Sequence, residues 1–195
     1  NQVYNFAAQS SVNKSFIYPE ETFKSNLDGF LNLILSVKKV DPHIKIFQSS
    51  SSEMFGEHRG KPFNEKDSFY PLSPYGISKS AAHVIANYFR EKFQLRIYCG
   101  ILFNHDSELR SENFVTKKIV SSFVKIKLGL LKTITLGNIN ISRDWGYAAE
   151  YVEAIHSQLQ LDNPTDLIIG TGQTNSLTEF LIEVMTQLNL GTNVA

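Results

Sequence analysis

Hydrophobic positions along the chain follow two alternating patterns: short continuous apolar runs, and longer stretches with an apolar residue every three or four positions. A short apolar run suits a strand buried on both faces, whereas the wider spacing gathers apolar residues on one side of a helix. Read this way, residues 3–8 form a strand, and residues 19–40 form an amphipathic helix carrying Phe23, Leu27, Phe30, Leu31, Ile34 and Val37, with Pro19 suited to the first helical position. Residues 44–48 read as a buried strand, and residues 49–70, polar and glycine-containing, as a long loop of the kind that often carries function. Ser73-Pro74 supplies an N-cap and first-turn proline for a helix to about residue 93, ahead of an apolar strand at 97–103. The alternation continues with a helix at about 113–128, a strand at 134–136, a helix at about 145–161 and a strand at 167–169. Ser176 and Glu179 form an S-x-x-E capping box before a last helix with Leu177, Phe180, Leu181, Val184 and Leu188 on one side. Such alternation predicts an α/β fold around a parallel sheet, with no internal repeat or linker.

Composition narrows the function classes. A chain of 195 residues with 42% hydrophobic and 19% charged content is long and apolar enough for one ordinary globular unit. Its 19 basic and 19 acidic residues cancel, so no long-range field draws it to nucleic acid or to an anionic membrane, and neither is an expected partner. An anionic ligand must then be held by local placement. Cys99, the single cysteine, lies in an apolar run and reads as a buried, inert thiol. No stretch approaches the roughly 18 consecutive apolar residues of a spanning helix, and no charged-then-apolar leader opens the chain, so a soluble cytoplasmic protein is expected. No metal site is expected.

Candidate chemistry begins with Tyr75 and Lys79, spaced to share one face of the helix that Ser73 caps. Ile77, Ala81, Val84, Ile85 and Tyr88 cluster on the other side, with the small Ala82 and Ala86 beside the pair, so the pair is not simply core. A lysine near a tyrosine favours the phenolate and brings its proton within reach of working pH. The same spacing also arises by chance on solvated helices. Ser51 and Glu53 leave a predicted strand, and ligands of parallel sheets sit beyond the carboxyl ends of strands. In extended chain both point the same way, one a hydroxyl to orient a substrate and the other a carboxylate to take a proton. Alternatively this is a polar loop in which the serines cap turns and Glu53 is solvated.

Six ordered segments settle which company these residues keep: Asn5-Phe6-Ala7-Ala8-Gln9-Ser10, Ser51-Ser52-Glu53, Tyr75-Gly76-Ile77-Ser78-Lys79, Gly100-Ile101-Leu102-Phe103-Asn104-His105, Phe114-Val115-Thr116-Lys117-Lys118 and Arg143-Asp144-Trp145-Gly146. In register over nearly the whole chain, they resemble the GDP-mannose 4,6-dehydratase family. The Y-x-x-x-K pair belongs to the wider extended short-chain dehydrogenase/reductases, and the F-N-H and R-D-W-G segments point to the GDP-mannose branch. The resemblance implies a Rossmann-type doubly wound sheet, represented by its later strands, with part of a smaller nucleotide-sugar lobe from about residue 104 onward. It implies GDP-mannose as substrate, NADP as cofactor and a homo-oligomer, dimer or tetramer.

By the same resemblance, Tyr75 helps NADP oxidise C4 of the hexose, Glu53 removes the C5 proton, Ser51 orients the substrate, and Lys79 holds the cofactor ribose and tunes Tyr75. Water leaves from C6 and hydride returns there. Phe6, Ala7, Ala8, Gln9 and Ser10 would line the cofactor, with His105 and Arg110 on the same side, and Asn104, Val115, Lys118 and Arg143 would address the GDP-sugar. A diphosphate does take charged or guanidinium donors near a helix start, although Lys118 and Arg143 read in isolation are ordinary surface cations.

Departures from the family pattern are local. Ser51 stands where many members carry threonine, Ser11 where a histidine is common, and Glu21 where a tyrosine is expected. Glu108-Leu109-Arg110-Ser111 replaces a Pro-Arg-Arg-Gly turn that in relatives binds cofactor across a subunit interface, which bears on tetramer formation. The family's opening G-x-x-G-x-x-G turn does not occur in these residues, so a polypeptide of this sequence alone is expected to bind NADP weakly and not to turn over GDP-mannose. Two other readings stand beside this one. Another nucleotide-sugar epimerase, dehydratase or reductase differs chiefly in its need for Glu53, and a catalytically silent chain would serve only in binding or assembly.

Overall fold

The computed structural model describes residues 1–57 and 60–191. In chain order these form β1 (Gln2–Asn5), α1 (Val12–Ile17), α2 (Pro19–Phe23), a π-helical turn (Lys24–Asp28), α3 (Gly29–Val40), β2 (Lys45–Ser51), a 3-10 turn (Ser52–Met54), α4 (Pro74–Phe93) and β3 (Ile97–Leu102). There follow β4 (Asn104–Asp106), α5 (Val115–Lys127), β5 (Ser142–Arg143), β6 (Trp145–Tyr147), α6 (Ala148–Gln160), β7 (Asp166–Ile169), β8 (Asn175–Ser176) and α7 (Leu177–Gln187). They divide into two units, one of Asn1–Phe103 with Tyr151–Ile169, the other of Asn104–Glu150 with the residues from Gly170 on.

In the first unit β1, β2, β3 and β7 lie side by side in that order, all parallel. Successive strand residues point to opposite faces, and both faces are covered. Ile46, Ile97 and Cys99 pack with Phe30, Ile34 and Val37 of α3 and with Ala82, Ala86 and Phe89 of α4. Phe47, Tyr98 and Leu102 pack on the other face with Tyr151, Ile155 and Leu159 of α6. This is a doubly wound, Rossmann-type arrangement. Ile46 and Phe47 are fully buried, and each such side chain contributes about 1.5–3 kcal/mol relative to exposure. Gly100 of β3 leaves room for the Phe47 ring, since a Cβ there would stand 2.6 Å from Cε2.

In the second unit β4 pairs with β6 in parallel and β5 with β8 antiparallel. Ile119 and Phe123 of α5 close a small core with Leu177, Leu181 and Met185 of α7. The expected capping box is present: Ser176 Oγ accepts from the Glu179 N–H, and Glu179 Oε2 accepts from the Ser176 N–H at 2.8 Å. Among the described residues no helix is long and apolar enough to cross a membrane.

Several elements differ from the pattern reading, each for a physical reason. The first strand ends at Asn5 rather than residue 8, because Asn5 Nδ2 turns to donate to Gln48 Oε1 at 2.6 Å and its Oδ1 accepts from the Ala7 N–H at 3.3 Å. The second strand runs on through Ser49 to Ser51 instead of giving way to loop, since those serines pair with Gly100, Ile101 and Leu102 and their hydroxyls find partners of their own. Helix 19–40 is interrupted by the π turn, and the six-residue α1, capped by Ser11, is too short to carry a helical period of apolar residues. Residues 134–136 form no strand; Ile134 and Leu136 reach the second core from an irregular segment. Trp145 to Tyr147 are held extended against β4, which delays the next helix to Ala148. On α4 the buried side is the one with Tyr75, Lys79, Ala82 and Ala86, while Ile77, Val84 and Tyr88 on the apolar side are exposed.

Candidate active site

The carboxyl end of β2 carries three consecutive buried serines, and each hydroxyl has a separate task. Ser49 accepts from Lys79, Ser50 meets His83, and Ser51 caps the 3-10 turn by accepting from the Glu53 N–H at 3.3 Å. Ser51 is extended and buried, and Glu53 follows in a half-buried position. The chain returns to this place through α4. Ser73 caps the helix by accepting the Gly76 N–H at 3.0 Å, and Pro74 occupies its first turn. Gly76 lets that turn rest on the backbone of Glu53, because a Cβ at Gly76 would stand only 2.7 Å from the Glu53 carbonyl oxygen. Tyr75 and Glu53 are therefore borne by backbone segments in direct contact.

Lys79 follows Tyr75 by one turn, with Nζ 5.9 Å from the centre of the Tyr75 ring. Its ammonium is buried and donates to Ser49 O at 2.8 Å and Ser49 Oγ at 3.2 Å. Burial disfavours the charged form and brings Lys79 from its ordinary 10.5 down to about 8. A lysine so poised is still mainly cationic near neutrality, and its charge lies beside a phenol. The helix turn that bears the phenol and the ammonium thus rests on the backbone of Glu53, just past the strand end at Ser51.

Residues 6–10 leave the carboxyl end of β1 on the same edge of the sheet. Phe6 is half exposed with its ring 5.5 Å from that of Phe47. Ala7 and Ser10 are exposed and Ala8 is half-buried. Gln9 is fixed at its backbone: its N–H donates to Asn26 Oδ1 at 2.8 Å and its carbonyl accepts from Asn26 Nδ2 at 3.1 Å. Asn26 also donates to Ser78 Oγ at 3.0 Å, which ties this segment to α4. It is buried within the π turn, a distortion that often marks functional positions. Sequence reasoning missed Asn26, yet a signal existed, since a polar residue stands among Phe23, Leu27 and Phe30 on the apolar stripe. His83 was missed likewise, at a position sharing the buried side with Lys79 and Ala86.

The remaining candidates all lie in the second unit. Asn104 and His105 form β4, beside Trp145 and Gly146. Arg110 pairs with Asp106 at 2.8 Å and lies 3.6 Å over the Phe114 ring, while Thr116 donates to Asp106 at 2.8 Å. Val115 opens α5, Lys118 one turn on donates to Thr135 O at 2.7 Å, and Arg143 is exposed on β5. Asp144 braces this strand by accepting from the N–H groups of Thr171, at 3.1 Å, and Gly172, at 2.9 Å.

A parallel sheet wound on both faces, with Ser-x-Glu at a strand end and Tyr-x-x-x-Lys on the next helix, defines a Rossmann-type protein of the short-chain dehydrogenase/reductase kind. Comparison with known proteins sharpens this. The profile of the GDP-mannose 4,6 dehydratase family matches residues 1–194, and the chain belongs to that family. It is 44% identical to the human GDP-mannose 4,6 dehydratase over 182 residues, covering 92% of this chain and 49% of that protein. To GDP-mannose 4,6 dehydratase 1 of Arabidopsis thaliana it is 44% identical over 185 residues, covering 93% and 51%. The chain thus spans about half the length of the curated relatives it matches. In fold it is similar to RMD from Pseudomonas aeruginosa, solved in complex with NADPH, with a TM-score of 0.93 at 23% identity over 100% of this chain and 67% of that one.

Proposed function

We propose that this chain carries the catalytic half-site of a GDP-mannose 4,6-dehydratase, a carbon-oxygen lyase acting by internal hydride transfer. The observation that carries the reading is the seating of Tyr75's helical turn directly on the backbone of Glu53, with Lys79 anchored on the strand that ends at Ser51. Elements bearing an acid-base pair and a second base are thereby joined at one edge of a sheet.

The donor set fits a nicotinamide dinucleotide: a buried ammonium of lowered pKa beside a phenol, and the backbone-fixed segment 6–10 at the end of β1. NADP, when bound, supplies the hydride acceptor and donor. Lys79 would hold its ribose and keep positive charge near Tyr75, while Phe6 to Ser10, His105 and Arg110 would line it. Tyr75 takes the proton of the C4 hydroxyl as that carbon is oxidised. The resulting ketone acidifies C5; Glu53 would remove the C5 proton and, as the acid so formed, protonate the C6 hydroxyl that leaves as water. Once hydride is returned to C6, the C5 position would take a proton from solvent while Tyr75 releases its own. Ser51 orients the sugar, and Asn104, Val115, Lys118 and Arg143 would address the nucleotide diphosphate. We infer further that the protein is cytoplasmic and self-associates through the exposed apolar side of α4, where Ile77, Val84 and Tyr88 stand open to solvent.

The test uses the native polypeptide as it is encoded, given GDP-mannose and NADP. The expected product is the 4-keto-6-deoxy sugar nucleotide, lighter than the substrate by one water in mass spectrometry, with C5 acquiring solvent deuterium. Glu53→Gln should stop C5 exchange and slow turnover by roughly 10²- to 10⁴-fold. Dehydration at near-normal rate in that variant excludes Glu53 as the base. Epimerisation or reduction without loss of water points to another nucleotide-sugar enzyme of the same fold.

A further inference from the structure

A line of buried polar side chains crosses the first unit behind the candidate site. His83, on the buried side of α4 and only 2% exposed, places Nδ1 2.8 Å from Ser50 Oγ and Nε2 3.2 Å from Asp166 Oδ2. Asp166, at the start of β7, also receives Arg90 through two hydrogen bonds, NH1 to Oδ1 at 2.8 Å and NH2 to Oδ2 at 3.0 Å. Arg90 in turn donates to Ile97 O of β3 at 3.0 Å. The edge of Phe69 meets the His83 ring at 5.1 Å and 87°. Phe69 belongs to the segment joining Glu53 to the cap of α4.

Serine, histidine and aspartate in hydrogen-bonded series have the makings of a nucleophilic triad, but burial excludes that use. Ser50 is 3% exposed and His83 2%, so no substrate carbonyl can approach the hydroxyl. The proton placement follows from charge. Burial alone would raise Asp166, yet its hydrogen bonds from His83 and Arg90 outweigh that and hold the carboxyl well below the usual range. An ionised Asp166 fixes the proton on Nε2, and in the neutral ring Nδ1 then accepts the Ser50 hydroxyl. The charged groups facing His83 are Asp166 from β7 and, beyond it, Arg90 from α4; the neutral Cys99 thiol of β3 lies in the same cluster.

What distinguishes His83 is what its partners adjoin. Ser50 stands between Ser49, the acceptor of Lys79, and Ser51, the cap of Glu53's turn. His83 itself follows Lys79 by one helical turn on the same side. We propose that His83 is a positioning residue: by locking α4 to β2 through Ser50 and to β7 through Asp166, it fixes the depth at which Lys79 and Tyr75 sit beside the Ser51-Glu53 strand end. Without the lock, α4 is free to shift against β2, the Lys79 to Ser49 contact lengthens, and water reaches the ammonium. Its role in turnover rests on the dehydratase reading; its role in setting Lys79 does not.

The experiment follows the titration of Lys79 by the ¹³Cε chemical shift in the native polypeptide and in two variants, His83→Leu and Ser50→Ala. Ser50→Ala is the milder change and keeps the test available if His83→Leu fails to fold. In the native protein Lys79 should titrate near 8, and in either folded variant its midpoint should move up by about one unit or more as the ammonium is rehydrated. Where the enzyme turns over, the variants should lose about tenfold or more in kcat, with KM for the nucleotide sugar little changed, and the pH profile should move with Lys79. Folded variants that melt earlier yet keep the native Lys79 midpoint overturn the proposal and leave His83 a purely structural residue. Absence of dehydratase activity in the native protein, with the midpoint shift still observed, refutes the functional reading and sustains the positioning role.

Discussion

At the scale of single residues the sharpest physical statement concerns Lys79. Its ammonium is removed from water with only Ser49 as hydrogen-bond acceptor among the contacts described, and it pays in basicity by falling from 10.5 to about 8. A lysine less basic in the folded than in the unfolded chain binds fewer protons in the fold between those two values, so stability rises with pH there. Below about 8 the whole penalty is present; above 10.5 it is gone. The fall corresponds to about 3 kcal/mol at most. Urea unfolding of the ligand-free native protein at pH 7.5 and at pH 10 should therefore show a gain with pH that Lys79→Met lacks. Equal pH dependence in the two proteins would mean that Lys79 is solvated. Much of this residue chemistry was legible beforehand. The spacing of Tyr75 and Lys79 and the pairing of Ser51 with Glu53 are local, so sequence displays them. His83 and Asn26 escaped because their meaning lies in partners 33 and 17 residues away, Ser50 and Gln9. A buried polar residue on an apolar stripe is visible in sequence, whereas what satisfies it is not.

At the scale of elements, two glycines make opposite predictions from one substitution. Alanine normally stabilises a helix over glycine by about 0.5–1 kcal/mol. At Gly29, in α3, a Cβ finds nothing nearer than Lys24 O at 3.9 Å, and Gly29→Ala should raise the melting temperature with no change in activity. At Gly76, in α4, a Cβ would lie 2.7 Å from Glu53 O and 3.1 Å from Pro71 Cβ. Both neighbours are held in place, one of them backbone, so α4 must withdraw from Glu53. Gly76→Ala should lower the melting temperature and reduce kcat together, measured by calorimetry and by the dehydration assay. A stabilised, fully active Gly76→Ala would show that the seating of α4 on Glu53 does not matter. Element legibility followed burial. Strands apolar on both faces and well-capped helices were readable, but β2 was cut short because Ser49 to Ser51 are polar residues in a buried strand, and β6 was absorbed into a helix because Trp145 to Tyr147 are ordered by β4 rather than by their own pattern.

At the scale of the molecule, the side of α4 turned away from the candidate site raises the question of assembly. Its inner side is committed to the sheet, with Tyr75, Lys79, His83 and Ala86 buried. The outer side carries Ile77 at 44% exposure, Val84 at 59% and Tyr88 at 51%, positions that recur on one helical face. The equal numbers of acidic and basic residues give no net charge to oppose association. These features support the proposed self-association, whose contact would then lie on the helix that carries Tyr75 and Lys79. Val84→Lys adds a charge where the protomer has open water, so it should leave protomer folding within about 0.5 kcal/mol and leave the Lys79 titration near 8. The same charge in a packed interface would be buried without a partner and should dissociate it. Light scattering of the native polypeptide should thus give an oligomer mass that falls toward one protomer in Val84→Lys. If the native protein is already a protomer at micromolar concentration, or if the variant keeps the oligomer mass, this side of α4 is not the contact, and its exposed apolar residues serve some other surface.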